Sequence, residues 1–319
     1  MRAQNFTSMA TPSSPSLPAS QAALRRTGML CAVVGAIAFS GKAIIVKLAY
    51  RHGVDATTLI MYRMLFALPL FALMAWWAGR GRAALTSTDW LGVVGLGFCG
   101  YYLSSFLDFA GLSYISAGLE RLILYLNPTL VLALGWLLYR RTVSKRQLLG
   151  LALSYLGVVV VFGVEVHAQG GVGSKVWLGA SLVFLSAVSY AIYLVYSAQF
   201  VQRLGALRLV GLATSVACLF CIAQFALTRP LSAALVAEPV LWLSVLNATL
   251  CTAVPVLLVM MAVERLGAAT VAQTGMIGPL STILMGVWLL DEPLAQAMVL
   301  GTVLVLAGIY VFTHASKKI

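Results

Sequence analysis

The sequence predicts an all-α membrane protein of ten transmembrane helices, arranged as two inverted five-helix repeats. Of its 319 residues, 61% are hydrophobic and only 9% are charged, a composition far outside the range of soluble globular proteins. The hydrophobic residues form ten segments of helix length, and one pattern of small and helix-breaking residues occurs twice, 151 positions apart. The recurring residues are Ala117, Pro128, Gly135, Gly150 and Gly157, which return as Ala268, Pro279, Gly286, Gly301 and Gly308.

Each hydrophobic segment is long enough to cross a membrane, because roughly 20 residues of helix span a ~30 Å hydrocarbon layer. We expect helices at 28–49, 57–78, 89–111, 117–139 and 145–164, and then at 174–198, 207–228, 238–262, 268–290 and 294–314. A unit that crosses five times ends on the side opposite its start, so the second repeat is predicted to be inserted upside down. Inverted repeats are an architecture of secondary transporters, which bind substrate near the repeat interface.

Little of the chain lies outside the two repeats, which we place at residues 28–164 and 174–314. Residues 1–27 are rich in Ser, Pro, Thr and Ala and predict a disordered cytoplasmic tail. Residues 315–319 form a short second tail, also predicted to be cytoplasmic. The first hydrophobic segment lacks a persuasive cleavage site, so we expect it to be retained as a helix.

Basic residues predict the orientation of the bundle. Of the 21 Lys and Arg residues, 14 fall on the N-terminal side of the membrane, 3 on the other side and 4 inside helices. By the positive-inside rule, both termini are expected in the cytoplasm. We therefore predict a multi-pass protein of the plasma membrane, specifically a bacterial inner membrane. The net charge of +12 then reflects orientation, and no nucleic-acid partner is expected.

The fourth and fifth segments of each half share a motif. The first copy reads LERLILYLNPTLVLALGWLL (119–138) and QLLGLALSYLGVVVVF (147–162), and the second reads TVAQTGMIGPLSTILMGVWLLDEPLAQAMVLGTVLVLAGIYVF (270–312). These stretches resemble the paired EamA-type repeats of the drug/metabolite transporter superfamily. The resemblance implies a ten-helix bundle that moves small metabolites by alternating access, with export favoured by family habit. It assigns the family's fourth-helix proline to Pro128 and Pro279.

An acidic residue often follows the fourth helix in that family. The second half has Asp291 and Glu292 at this place, whereas the first half has Arg140 and Arg141. The difference fits the predicted topology, since the first of these loops would be cytoplasmic and the second external.

The two prolines predict breaks at matching places in the two halves. Proline removes a backbone donor and disrupts the preceding turn, so carbonyls near Leu124 and Gly275 should be freed. Inside a membrane, freed carbonyls persist only where protein or a watery cavity satisfies them. Paired broken helices indicate a transporter's binding site, and a simple packing kink is the alternative.

Charged side chains within the predicted spans are the sharper functional signal, because each is costly in the membrane and usually faces partners or water. Those of the first repeat are Lys42, Lys47, Arg63, Asp108, Glu120 and Arg121. Four bases against two acids leave this layer with an excess charge of +2. We expect Lys42 and Arg63 to bind an anionic or zwitterionic substrate group, while Asp108 and Glu120 pair with the remaining bases or carry a coupling proton. The alternatives are that all are internal salt bridges, and that Lys47 reaches the membrane interface.

Aromatic and amide side chains at mid-depth are secondary candidates for lining a cavity. These are Tyr101, Tyr125, Asn127, Tyr190, Tyr193 and Gln273. Intramembrane tyrosines serve packing more often than binding.

Enzymatic chemistry finds little support in the sequence. The histidines lie at helix ends, and Cys218-x-x-Cys221 falls on an apolar helix where thiols act as packers. The GLGFCG motif (95–100) matches a dinucleotide-binding pattern but lies inside a membrane helix without the required strand, so helix packing explains it better. We therefore predict no enzyme, no cofactor and no metal. The expected partners are a small-molecule substrate, the lipid bilayer and a coupling ion such as the proton. A membrane-embedded enzyme or a receptor-like membrane protein is the alternative function, and the oligomeric state stays open.

Overall fold

The computed structural model describes residues 19–139, 144–168, 175–266, 271, 274, 275 and 277–316. Gln273 lies outside the described residues, as do most of the predicted N-terminal tail and residues 317–319. The side chains of Pro128 and Pro279 are also outside the description, although their backbone is helical.

The described residues are almost entirely helical, and no strand occurs among them. In chain order the helices are α1 (Ala19–Tyr50), α2 (Ala56–Gly79), α3 (Ser87–Gly97), α4 (Ser104–Leu112), α5 (Ala117–Leu124), α6 (Asn127–Tyr139), α7 (Lys145–Ala168), α8 (Val176–Leu204), α9 (Ala206–Thr228), α10 (Glu238–Ala248), α11 (Val254–Leu266), α12 (Ile277–Leu290) and α13 (Gln296–Ser316). A π-helical segment, Phe98–Leu103, joins α3 to α4, and another, Thr249–Ala253, joins α10 to α11. A 3₁₀ turn, Leu231–Ala234, precedes α10. We call the two ends of the bundle the Leu24 end and the Tyr50 end, after the ends of the membrane-spanning part of α1.

These helices confirm the predicted all-α membrane fold class, while the number of ten crossings stays a prediction. Eight of the described spans are long and apolar enough to cross a membrane. Two shorter apolar helices, Leu280–Leu290 and Gln296–Val311, lie where the sequence predicts the ninth and tenth crossings. Two boundaries differ clearly, because α8 ends at Leu204 rather than at residue 198 and α1 begins at Ala19 rather than at residue 28. The added turns contain Ala, Leu, Gln and Arg, which are good helix formers, so the helix continues beyond the apolar segment.

The helices pack with the symmetry of the repeat. The second helices of the two halves, α2 and α9, pack on each other, and so do the fifth, α7 and α13. In contrast, α1 packs on α10 to α12 of the second repeat, while its counterpart α8 packs on α3 to α6 of the first. Each repeat thus inserts its first helix into the other, so neither repeat buries its apolar faces alone.

Glycines bring α7 and α13 into backbone contact. A Cβ atom built on Gly157 would lie 2.5 Å from the carbonyl oxygen of Gly301, and one built on Gly308 would lie 2.5 Å from that of Gly150. Small residues allow such close approach between membrane helices. The repeated glycines of the fifth helices therefore form one of the contacts between the two halves.

The two π-helical segments also occupy equivalent positions, since Phe98 and Thr249 begin them 151 residues apart. A π-helical turn is rare and is frequent at functional sites. In the second segment the hydroxyl of Thr252 donates to the carbonyl of Asn247 at 2.7 Å, a bond that spans five residues. The sequence analysis does not predict these segments.

Helix packing accounts for two of the three glycines of the GLGFCG motif. A Cβ on Gly97 would lie 2.6 Å from the carbonyl oxygen of Ala213, and one on Gly100 would collide with the ring of Tyr193. A Cβ on Gly95 would meet no atom within 4 Å. The motif lies at the start of the first π-helical segment, in a span without any neighbouring strand.

Candidate functional site

A buried charged cluster lies where α1, α4 and α5 meet. Lys42 Nζ of α1 is 2.5 Å from Asp108 Oδ2 of α4 and 3.5 Å from Glu120 Oε1 of α5. Asp108 is 2% exposed and Glu120 is fully buried. Lys42, which we expected to bind substrate, therefore serves as the counter-ion of both carboxylates in this conformation.

Arg63 brings a second base from α2 to the same region. Its side chain is 7% exposed, its guanidinium carbon lies 5.1 Å from the ring centre of Phe109, and its Nε donates to Thr252 Oγ1 at 3.2 Å. Thr252 belongs to the second π-helical segment, so this bond links the two repeats. Within the described residues, Arg63 Nη1 is buried and has no hydrogen-bond acceptor.

Arg121 lies next to Glu120 on α5 but points toward a different set of partners. Its Nη2 donates to Ser40 Oγ at 2.9 Å, and its guanidinium carbon lies 5.7 Å from the ring centre of Tyr125. Ser40 Oγ is in turn 3.0 Å from the carbonyl oxygen of Gly278 at the start of α12. Arg121 Nε is buried without an acceptor among the described residues.

The helix breaks predicted from the prolines are present. In the first half, α5 ends at Leu124 and α6 begins at Asn127. The freed carbonyl of Leu124 accepts a hydrogen bond of 2.8 Å from the Asn127 amide. The candidate Asn127 thus caps the break, while its Oδ1 is buried without a donor in the described part of the chain.

The second break faces the first across the repeat interface. A turn at Gly275 precedes α12, and the Gly275 carbonyl accepts the hydroxyl of Tyr125 together with the Gly278 amide at 2.9 Å. A Cβ on Gly278 would collide with the Tyr125 hydroxyl. Both predicted free carbonyls are therefore satisfied by protein groups, one within its own repeat and one across the interface.

The tyrosine candidates fall into a separate cluster. The hydroxyls of Tyr101 and Tyr193 are 3.1 Å apart, and the rings of Tyr190 and Tyr193 stack with centres 5.4 Å apart. This cluster lies against the first π-helical segment, on the interface between the first repeat and α8. Tyr125 instead belongs to the helix breaks, as described above.

Lys47 does not belong to the charged cluster. It lies near the Tyr50 end, where Glu292 and Glu165 are its charged neighbours. The buried cluster thus contains three bases, Lys42, Arg63 and Arg121, against two acids, and its excess charge is +1 rather than +2.

Several groups at the site were missed by sequence reasoning, all of them small or polar residues that reach the charges from elsewhere. They are Ser40, Thr252 and Gly278. Of these three, only Gly278 was indicated by the sequence, because it directly precedes the predicted helix break at Pro279. The cysteines of the C-x-x-C motif are free and buried in the core, with Cys218 Sγ 3.7 Å from Met64 Sδ.

Comparison with known proteins places this arrangement in a family. The model of the EamA-like transporter family matches residues 26–163 and again 177–313, which reproduces the two repeats. The chain is 29% identical over 288 residues to "Uncharacterized transporter YcbK" of Bacillus subtilis, covering 86% of this chain and 88% of that one. It is 26% identical over 295 residues to an "Uncharacterized transporter" of Archaeoglobus fulgidus, covering 90% and 97%.

A solved crystal structure shares the fold. It superposes with a TM-score of 0.61 at 18% sequence identity, covering 92% of this chain and 98% of the other. With two family matches that together span most of the sequence, two packed repeats and paired helix breaks, the chain is a member of the EamA-like transporter family.

Proposed function

We propose that this protein is a secondary transporter that moves a small anionic or zwitterionic metabolite by alternating access. The observation that carries the proposal is the guanidinium of Arg63. It is a permanent cation, buried against the second π-helical segment, with one nitrogen lacking an acceptor among the described residues. Arginine suits carboxylate and phosphate groups because its planar donors match their geometry.

The other charges favour an anionic group at this position. Lys42 is the base that pairs directly with Asp108 and Glu120. Asp108 also acts electrostatically on Arg63, but three bases against two acids leave one positive charge of the cluster uncompensated. Leaving a buried charge unpaired is costly. A substrate carboxylate or phosphate near Arg63 would remove that cost and would neutralise the excess charge of the cluster.

The repeat packing supports alternating access. Since α1 and α8 each insert into the opposite repeat, rotation of one repeat would carry its first helix past the breaks in the other. The bonds from Tyr125 to Gly275 and from Arg63 to Thr252 cross this interface. These contacts would be exchanged as the site changes sides.

Proton coupling, export and the orientation in the membrane extend the proposal. Asp108 and Glu120 are the candidates to carry a proton, since both are buried beside the proposed site. We predict that Glu120→Gln abolishes uptake driven by a pH gradient while leaving substrate exchange at zero gradient intact.

The basic loops favour cytoplasmic termini in the inner membrane, and family habit favours export.

A ligand panel tests the proposed substrate class. A ligand that binds only the folded protein stabilises it by mass action, so thermal unfolding in detergent can screen anionic, zwitterionic and cationic metabolites. We expect stabilisation by compounds with a carboxylate or phosphate, and loss of that effect in Arg63→Gln. Arg146→Gln removes an exposed arginine and should leave it unchanged.

The same variants separate a binding role of Arg63 from a structural one. If Arg63→Gln lowers stability without ligand and Asp108→Asn then restores it, the arginine is structural. Stabilisation confined to cationic compounds would contradict the proposed substrate class.

A further inference from the structure

A cavity lined by charged, polar and apolar side chains lies at the Tyr50 end of the bundle, apart from the buried cluster. Its volume is about 480 Å³, within the range typical of small-molecule sites. Lys47 lies five residues beyond Lys42 on α1, or roughly 7.5 Å farther along the axis. The polar residues that line the cavity include Lys47, Tyr114, Ser116, Glu165 and Glu292.

Lys47 supplies the positive charge of this cavity. Glu292 and Glu165 are near enough to act on its ammonium group electrostatically. Within the described part of the chain, however, Lys47 makes neither a hydrogen bond nor an ion pair within 4.0 Å. Its ammonium group therefore has donors to offer to a ligand.

The two carboxylates are held in place by the start of α5. Glu165 accepts from the Ser116 amide at 2.6 Å and from the Ser116 hydroxyl at 2.7 Å. Glu292 Oε1 accepts from the Ala117 amide at 3.0 Å. A carboxylate has about four acceptor positions, so this bond fixes Glu292 and leaves capacity toward the cavity.

Part of the cavity wall is apolar. It is formed by Val161, Val164 and Ala168 of α7 together with Met298 of α13. Both repeats thus contribute charge and apolar surface to one cavity, since Glu292 and Met298 come from the second repeat.

We propose that this cavity binds a zwitterion that carries a primary ammonium group, an anionic group and an apolar tail. The ammonium group would lie with Glu292 and Glu165, the anionic group with Lys47, and the tail on the wall of α7. A simple anion would face two carboxylates, and a simple cation would leave Lys47 without a partner, whereas a zwitterion complements both charges. The inference does not depend on the buried cluster being the transport site.

Two sources can supply this chemistry, a free amino acid with an apolar side chain or the headgroup of phosphatidylethanolamine.

Leucine and its two single-charge analogues make a matched panel. 3-Methylbutylamine lacks the carboxylate, 4-methylpentanoate lacks the ammonium group, and all three share the same tail. We expect radiolabelled leucine to bind the detergent-purified protein and neither analogue to displace it at comparable concentration.

Variants locate that binding. Lys47→Gln and Glu292→Gln should each weaken leucine binding about tenfold or more, because each removes a charge-assisted hydrogen bond. Gln at position 292 keeps an oxygen for the Ala117 amide, so the start of α5 stays capped. Lys145→Gln removes an exposed lysine and is the matched control. The Lys47 and Glu292 variants are also measured in the Arg63→Gln background, so that the proposed transport site does not contribute to the leucine binding that they report.

Nanodiscs distinguish the two sources. If phosphatidylethanolamine lowers leucine binding and phosphatidylcholine does not, the lipid headgroup occupies the cavity, because only its primary ammonium group donates hydrogen bonds. If both lipids leave leucine binding unchanged, the free amino acid is the ligand. Equal displacement by either analogue, or leucine binding insensitive to Lys47→Gln and Glu292→Gln, would overturn the inference.

Discussion

The glycine contact between α7 and α13 offers a test of the repeat packing through a single added methyl group. In Gly157→Ala the new Cβ would lie 2.5 Å from the Gly301 carbonyl oxygen, 2.9 Å from Val305 Cγ2 and 3.0 Å from Leu304 Cβ. Real Cβ atoms essentially never approach closer than 3.0 Å. The nearest atom is backbone, so it cannot move aside as a flexible side chain would.

The helices must therefore separate by at least about half an ångström at this contact. A gap of that size already forfeits a quarter or more of the attraction between facing atoms. Overpacking a close contact typically costs about 1–3 kcal/mol. We predict that Gly157→Ala lowers the free energy of unfolding by that amount.

Gly163 provides a matched control on the same helix. A Cβ built there meets no atom within 4 Å. In the interior of a helix, alanine is more stabilising than glycine by about 0.5–1 kcal/mol. Gly163→Ala should thus be neutral or stabilising, so the same substitution has opposite signs six residues apart. The assay is unfolding of the purified variants in detergent, followed by tryptophan fluorescence. Equal stability of the two variants would refute the close packing of the fifth helices.

Three further predictions concern polar contacts, each measured by unfolding in detergent. Lys42→Gln should lower stability by about 3–5 kcal/mol, because it leaves a buried carboxylate without its base. Adding Asp108→Asn should restore part of the loss. A double variant no more stable than Lys42→Gln would contradict the ion pair between Lys42 and Asp108. Asp55→Ala should cost about 0.5–2 kcal/mol by uncapping α2. Burial raises the pKa of Asp55, but hydrogen bonds from the first turn of α2 outweigh this effect and lower the pKa below 3.8. The stability that the Asp55 cap contributes is therefore present above pH ~4 and is lost as the pH falls through the lowered pKa. If wild type and Asp55→Ala differ in stability by the same amount at acid pH, this prediction is contradicted. Tyr125→Phe should cost about 0.5–1.5 kcal/mol by removing a donor to the second helix break, whereas Tyr190→Phe, which removes a hydroxyl without a hydrogen bond among the described residues, should cost little.

Part of the buried cluster could be predicted from the sequence. Lys42, Asp108 and Glu120 were grouped as charges within the spans of the first repeat, and the structure joins them in one cluster. The prolines correctly marked the carbonyls of Leu124 and Gly275 as freed. Depth is predictable because a helix rises by a fixed 1.5 Å per residue.

Rotation about the helix axis was less predictable. In a span that is apolar on all sides, the sequence does not mark which face meets which neighbour. For that reason the partners of Arg63 and Arg121, namely Thr252 and Ser40, could not be foreseen. Lys47 was grouped with the buried charges on depth alone, although the packing places it with Glu292 of the other repeat.

The π-helical segments were missed for a related reason. Their sequences, FCGYYL and TLCTA, contain no charged residue and no proline that would set them apart from the helices around them. One inserted residue per segment changes the hydrophobic pattern too little for the sequence to reveal a π-helical turn. Their spacing of 151 residues becomes meaningful only once the backbone shows both.

Transport by Arg63 variants tests the central claim most directly. Purified protein would be reconstituted in liposomes with the anionic or zwitterionic compound that stabilises it, and exchange of the labelled compound would be measured. We predict that Arg63→Gln folds but loses exchange, while Arg63→Lys, which keeps the charge, retains part of it. Exchange at the wild-type rate in a folded Arg63→Gln protein would contradict the claim that this buried cation binds the substrate.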